Sequence, residues 1–291
     1  MFEWKHYRSG LRGIGLIALF LGLAACGGDS DSDADGVPTP EPSPVASANR
    51  VATLEGPITG GLRGHPLWDS WFRLDEVGYV EEEYFISGSA VSRGGNADAD
   101  YTTRFILRRP ANAADFNGTV ILDWVNVSAQ FENAVDTLNS QAFFIREGYA
   151  FAHVSAQAAG ICCVPLLTPK LWDPVRYAPL DHPGDDYAFS MLNQIARAIR
   201  APEDIDPMGG LPVQTVLAVG QSQSAHQLFD FVSEGHVDTT VIDGLLVHSS
   251  IGRVFQVVPA VPVVHLLSDF EARPEAPVSE RNVALWEVAG S

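Results

Sequence analysis

Ser222 is the residue in this sequence best placed to do chemistry. It lies in Gly220-Gln221-Ser222-Gln223-Ser224, a Gly-x-Ser-x-small turn. The apolar run Thr215-Val-Leu-Ala-Val219 leads into the turn, and Ala225, Leu228, Phe229 and Val232 follow it at helical spacing. A serine between a buried strand and an amphipathic helix takes a strained backbone conformation that lifts its hydroxyl above the sheet. The residues two places to either side must then be small. Gly220 meets that demand fully, and Ser224 stands where glycine is usual. The chemistry this predicts is nucleophilic attack on an acyl carbon. The backbone N–H of Gln223, first in the following helix, would face the developing oxyanion with the helix dipole behind it.

Such a turn needs a rigid sheet beneath it. Residues 84–86 and 102–107 are expected to be early strands, followed by buried strands at 119–124 and 149–154. Met191, Leu192, Ile195 and Ile199 share one face of a helix ending near Arg200, with Asp185 or Asp186 as its N-cap and Pro202 as its stop. Strands are expected again at 215–219, 241–247 and 262–267, and a last one near 282–288. Continuous apolar strands separated by helical stretches predict an α/β fold, doubly wound, with a mostly parallel sheet covered on both faces. The body from residue 51 to 291 is expected to be one domain.

With Gly220-Gln-Ser-Gln-Ser-Ala225 at its centre, the chain resembles the α/β-hydrolase superfamily. Within it, the chain is similar to a bacterial "alpha/beta hydrolase domain" family. Further stretches carrying that resemblance are 78–88, Leu122-Asp-Trp-Val-Asn-Val-Ser128, Trp172-Asp-Pro-Val-Arg-Tyr177 and His182-Pro-Gly-Asp185. The resemblance implies a second oxyanion donor in the loop after the third strand, where the N–H groups of Val125 and Asn126 are candidates. It also implies the chain order Ser, then Asp or Glu, then His. Asp269 and Glu271, just past the 262–267 strand, compete for the acid, and Glu271 suits the usual distance slightly better.

No histidine follows Glu271. In related hydrolases the catalytic histidine lies close to a turn like the one ending this sequence, so the expectation is a C-terminally truncated domain whose histidine lies beyond Ser291. On that expectation the 291 residues alone have little activity, since a serine without an imidazole is a poor nucleophile at neutral pH. His248, at the functional end of its strand, is the reserve candidate. His226 is expected to pack or lie at the surface, and His153 and His265 to be core residues.

The N-terminal residues have another purpose. Lys5, Arg8 and Arg12 precede a short apolar stretch at 14–21, and Leu23-Ala-Ala-Cys26 matches a lipobox. Residues 1–25 are expected to be a lipoprotein signal peptide, with lipid on Cys26 anchoring the chain to the cell envelope. Gly27 after the cysteine favours the outer membrane by analogy. Residues 26–50, rich in Asp, Ser and alternating Pro, are expected to be a tether. The net charge of −18 opposes phosphate backbones, which excludes nucleic acid as an expected partner. Cys162 and Cys163 are adjacent and read as small buried or loop cysteines, although an oxidising compartment permits a vicinal disulfide. No metal-ligand spacing or phosphate loop is present, so no cofactor is expected. The combined expectation is a lipid-anchored serine hydrolase acting on a small-molecule carboxylic ester. The alternative is a non-catalytic binding or scaffold lipoprotein on the same fold.

Overall fold

The computed structural model describes residues 50–162, 167–268, 271 and 282–288. Among these, nine strands form one sheet. In chain order they are β1 (Thr53–Glu55), β2 (Tyr79–Val91), β3 (Asp98–Pro110), β4 (Thr119–Trp124), β5 (Ala150–Val154), β6 (Thr215–Gln221), β7 (Gly244–His248), β8 (Val263–Ser268) and β9 (Val283–Val288). Their spatial order is β1-β2-β3-β5-β4-β6-β7-β8-β9. The first three pair antiparallel, β3 also meets β5 antiparallel, and the ladder from β5 to β9 is parallel throughout. The expected α/β class with a mostly parallel sheet is what the chain adopts.

β2 and β3 run 13 residues each, far beyond the short segments expected at 84–86 and 102–107. The charges that break the apolar pattern explain the difference. Glu83 pairs with Arg104 at 2.7 Å and Glu81 with Arg108 at 2.6 Å across the hairpin, so the charged positions belong to the ladder. Between the strands Ser92 N–H bonds the Ala97 carbonyl at 2.8 Å and closes the turn.

Helices α4 (Ala188–Arg200) and α5 (Gln223–Ser233) cover one face of the parallel sheet. Met191, Leu192, Ile195 and Ile199 are buried there as their spacing predicts, against Phe231, Leu228 and the strands. Each such side chain contributes roughly 1.5–3 kcal/mol through removal from water. The expected Asp185 or Asp186 cap is corrected. A 3-10 turn at Asp185–Tyr187 precedes α4, and Asp185 instead accepts from the Ala158 N–H at 2.8 Å and from Gln157 Nε2 at 3.1 Å. Ala158 opens the short helix α2 (Ala158–Ile161), so that carboxylate serves a neighbouring helix.

The opposite face carries α1 (Val135–Arg146), packed over a cluster of Leu74, Tyr79, Ile121, Phe151 and Val219. Full coverage of both faces does not hold among the described residues. An open groove of about 800 Å³ runs beside α1 over Leu217, Leu246, Val264 and Trp286. A short helix α3 (Pro169–Trp172) packs near α2 on the far side of the β2–β3 hairpin. Cys162, after α2, is disulfide-bonded, which corrects the expectation of plain thiols; Cys163 lies outside the described residues.

Candidate active site

One residue separates the end of β6 from the start of α5, and that residue is Ser222. Its backbone sits at φ 58°, ψ −114°, a conformation side-chain-bearing residues rarely adopt. Strain of this kind costs on the order of 1–3 kcal/mol and persists only where the surroundings over-determine it. Here they do. Ser222 N–H bonds the His248 carbonyl at 2.9 Å, and His226 N–H bonds the Ser222 carbonyl at 3.0 Å. Ser224 Oγ accepts from Gln221 N–H and donates to the Gln221 carbonyl, both at 3.0 Å. The serine that stands in place of glycine therefore staples the bend. A Cβ added at Gly220 would lie 3.0 Å from Leu228 Cδ1 and 3.1 Å from the Ser224 carbonyl carbon, so a larger residue there requires the first turns of α5 to give by a few tenths of an ångström.

The Gln223 amide is the first of α5 and has no carbonyl within its own helix to bond. The loop after β4 comes beside it. Asn126 Nδ2 donates to the Gln221 carbonyl at 2.8 Å, which fastens this loop to the elbow. The amides of Val125 and Asn126 are both occupied, by the Val154 carbonyl at 3.3 Å and the Asn133 carbonyl at 2.9 Å. The loop amide that meets the elbow is Val127's, held only loosely at 3.4 Å by Gln223 Oε1. Sequence alone carries no sign of this, because a bridge to Asn133 spends the Asn126 amide and the neighbouring strand β5 spends that of Val125.

Glu271 follows β8, buried at the same carboxyl edge. Burial alone would raise its pKa, but the Ser268 amide at 2.9 Å and the Ser249 hydroxyl outweigh it and hold the carboxylate below its usual range. Asp269 lies outside the described residues. His248 ends β7, the strand beside the elbow, in register with Gln221. Its Nδ1 lies 2.7 Å from Asp136 Oδ1 in the first turn of α1. This hydrogen bond raises the His248 pKa against the opposing effect of burial. Asp136 was not foreseen: it is 112 residues from its partner in sequence, with no local motif. Beneath it, burial and the nearby Asp136 charge push Asp123 up to about 7, although the Thr137 amide and hydroxyl bond its carboxyl at 3.0 and 2.8 Å. His153 and His265 are buried and bonded to Thr137 and Ser250, as expected of core residues.

A family model described as alpha/beta hydrolase domain matches residues 54–291. The chain belongs to that family. The mostly parallel α/β sheet is the fold class that the sequence resemblance implied. Among solved structures, the dienelactone hydrolase-like promiscuous phosphotriesterase P91, from metagenomic libraries, is 9% identical with a TM-score of 0.40. The alignment covers 74% of this hydrolase-domain chain and 83% of that one. Esterase Est22 is 16% identical with a TM-score of 0.34, covering 60% of this chain and 45% of that one. The rice cell wall degrading esterase LipA from Xanthomonas oryzae is 11% identical with a TM-score of 0.33, covering 58% and 42%. The chain spans less than half the length of either esterase. At such identities and scores these likenesses say nothing of substrate. No curated protein matches the sequence significantly.

Proposed function

We propose that this chain is a serine hydrolase of small-molecule carboxylic esters, acting through an acyl-enzyme on Ser222. The observation that carries the proposal is the strained φ of Ser222 at the strand-to-helix bend, beside an unspent helix-N-terminal amide. Ser222 Oγ attacks the ester carbonyl carbon, and the carbonyl oxygen becomes an oxyanion bonded by the Gln223 N–H. Val127 N–H supplies a second bond once Gln223 Oε1 swings aside. The serine proton passes to an imidazole, which returns it to the departing alcohol. Water then attacks the acyl carbon by the same route and frees Ser222.

Among the described residues, we assign this role to His248, which ends the strand beside the elbow. Asp136 fixes its Nδ1 and leaves Nε2 to exchange the proton. The second reading keeps the acid role for Glu271, which follows β8, with a different histidine as the base. Two variants separate them. On the first reading His248→Gln lowers kcat by about 10³-fold or more, and Glu271→Gln changes it little. Full activity in His248→Gln, with loss in Glu271→Gln, transfers the role to the second histidine.

The pH dependence follows from the sign of the shift. The base must be neutral, so its raised pKa sets the acid limb of kcat/KM, and Asp136→Asn moves that limb to lower pH. The same pair stabilises the fold fully below the unfolded histidine's ordinary pKa, and this contribution fades as pH rises through the raised folded value. An unmoved acid limb in Asp136→Asn removes His248 from the reaction.

The family fold alone is compatible with a binding protein. A fluorophosphonate that labels the chain at Ser222 supports the enzyme, and a folded chain left unlabelled supports the binder. Placement in the cell envelope through lipid on Cys26 completes the proposal, although residues 1–49 lie outside the described structure. Cys26→Ser is expected to shift the protein from the detergent phase to the aqueous phase in a detergent partition of whole cells. Unchanged partition argues against the anchor.

A further inference from the structure

We propose that Ser249 is a positioning residue for the reaction assigned to Ser222: it turns the chain directly after His248, and its hydroxyl, bonded to Glu271, keeps that turn closed. The role rests on the reading of His248 as the base for its link to hydrolysis. The turn itself is open to a separate measurement.

The neighbouring strands β6 and β7 are each followed by a serine of positive φ, Ser222 at 58° and Ser249 at 63°. The first forms the elbow. A side-chain-bearing residue takes such a backbone only where its surroundings hold it there, so the second also has a cause. Along an extended strand alternate side chains share a face, and residues 248 and 250 would point the same way. Here they part. His248 meets Asp136 of α1 at 2.7 Å, on the face that α1 covers. Ser250 Oγ lies 2.7 Å from His265 Nε2, and the His265 ring packs against Phe229 of α5, on the other face. The left-handed residue between them reverses the alternation, and each side chain reaches its own partner.

Backbone bonds pin both sides of the turn. The His248 carbonyl accepts from Ser222 N–H at 2.9 Å, and Ser249 N–H donates to the Leu266 carbonyl at 2.8 Å. The side chain closes it. The Ser249 hydroxyl donates to the Glu271 carboxylate, which also accepts from the Ser268 amide at 2.9 Å. Glu271 N–H bonds the Ser268 carbonyl at 3.0 Å, so the acceptor is itself held at the end of β8. A hydroxyl on a carboxylate is a charge-assisted bond, stronger than one between neutral groups. Glu271 thereby reaches His248 through the chain, by holding the residue next to it.

Two carboxylates bear on the His248 ring, Asp136 from α1 and Glu271 from the segment after β8, and both raise its pKa against burial. His265 of β8 turns away toward Ser250, and burial lowers its pKa.

The test follows the His248 ring protons of the full chain by NMR titration, with the resonance assigned by its loss in His248→Gln, beside the pH dependence of kcat/KM. Ser249→Ala removes the hydroxyl and keeps the Cβ. The turn should open, His248 should leave Asp136, and its pKa should fall, with kcat/KM down roughly tenfold or more and its acid limb at lower pH. Ser249→Gly also lacks the hydroxyl but takes a left-handed backbone freely, so both readouts should lie nearer the parent than those of alanine. A residue needed only for packing gives the reverse order. In an Asp136→Asn background Ser249→Ala should move the His248 pKa no further, because the pair it supports is already gone. If alanine does not fold, the glycine variant carries the measurement, with a His248 pKa below the parent's. An unmoved His248 pKa, or glycine falling further from the parent than alanine, overturns the role. A lowered His248 pKa in Ser249→Ala, together with full activity in His248→Gln, supports the turn and removes only the assignment of His248 as the base.

Discussion

Ser222→Gly is expected to abolish ester hydrolysis while making the protein more stable. The two effects have one cause. At φ 58°, ψ −114° the serine backbone is strained, and glycine adopts such angles without a Cβ penalty. Relief of about 1–3 kcal/mol is offset by the roughly 0.5–1 kcal/mol that glycine's extra freedom in the unfolded chain costs. A net gain of up to about 2.5 kcal/mol, centred near 1, remains, worth about 2–4 °C in Tm per kcal/mol for a domain of this size. Loss of the nucleophile should lower kcat by about 10⁵–10⁶-fold. Ser222→Ala is the matched control, because alanine removes the hydroxyl and keeps the strain. Urea melts of the two variants beside the parent decide the matter. If glycine at 222 proves no more stable than alanine, the bend is not strained in solution, and the case for an activated serine loses its main support.

Arg104→Met is expected to cost the largest amount of stability of any single change near the site. Arg104 is almost wholly buried and bridges Glu83 and Glu132, with the Leu67 carbonyl and the Tyr177 hydroxyl bonded to the same guanidinium nitrogen as Glu83. Burial opposes its charge, and the carboxylates with Tyr177 more than compensate, so its pKa is raised. Methionine fills much of the volume and supplies none of the charge. Glu83 keeps Arg176 at 2.6 Å, but Glu132 loses its ion-pair partner while buried. An uncompensated buried charge costs about 3–5 kcal/mol. Adding Glu132→Gln to Arg104→Met removes the stranded charge and should recover part of that loss, a coupling read from a double-mutant cycle. A loss of stability no greater than that of an exposed arginine, or no recovery in the double variant, would show that water solvates this cluster.

Local physics made the parallel half of the sheet and the elbow legible in sequence. The strand at Thr119–Trp124 is found where the apolar run placed it, and the stretch from Thr215 to Val232 declares strand, bend and helix within a single window. Gly220 and Ser224 could be read as small because contact across a tight turn depends on neighbours in the chain. The hairpin of β2 and β3 is longer than its apolar runs, since Glu81, Glu83 and Arg108 look like strand breakers until Glu83 faces Arg104 and Glu81 faces Arg108. The Asp136–His248 pair and the occupation of the Val125 and Asn126 amides were decided only in three dimensions. Each depends on residues brought together from distant strands, and hydrogen bonds formed that way leave no periodicity to read. Sequence by itself determined which residue is bent out of the sheet. Tertiary structure decided what stands around it, because burial and pairing across the carboxyl edge set which amides are spent and which histidine is held.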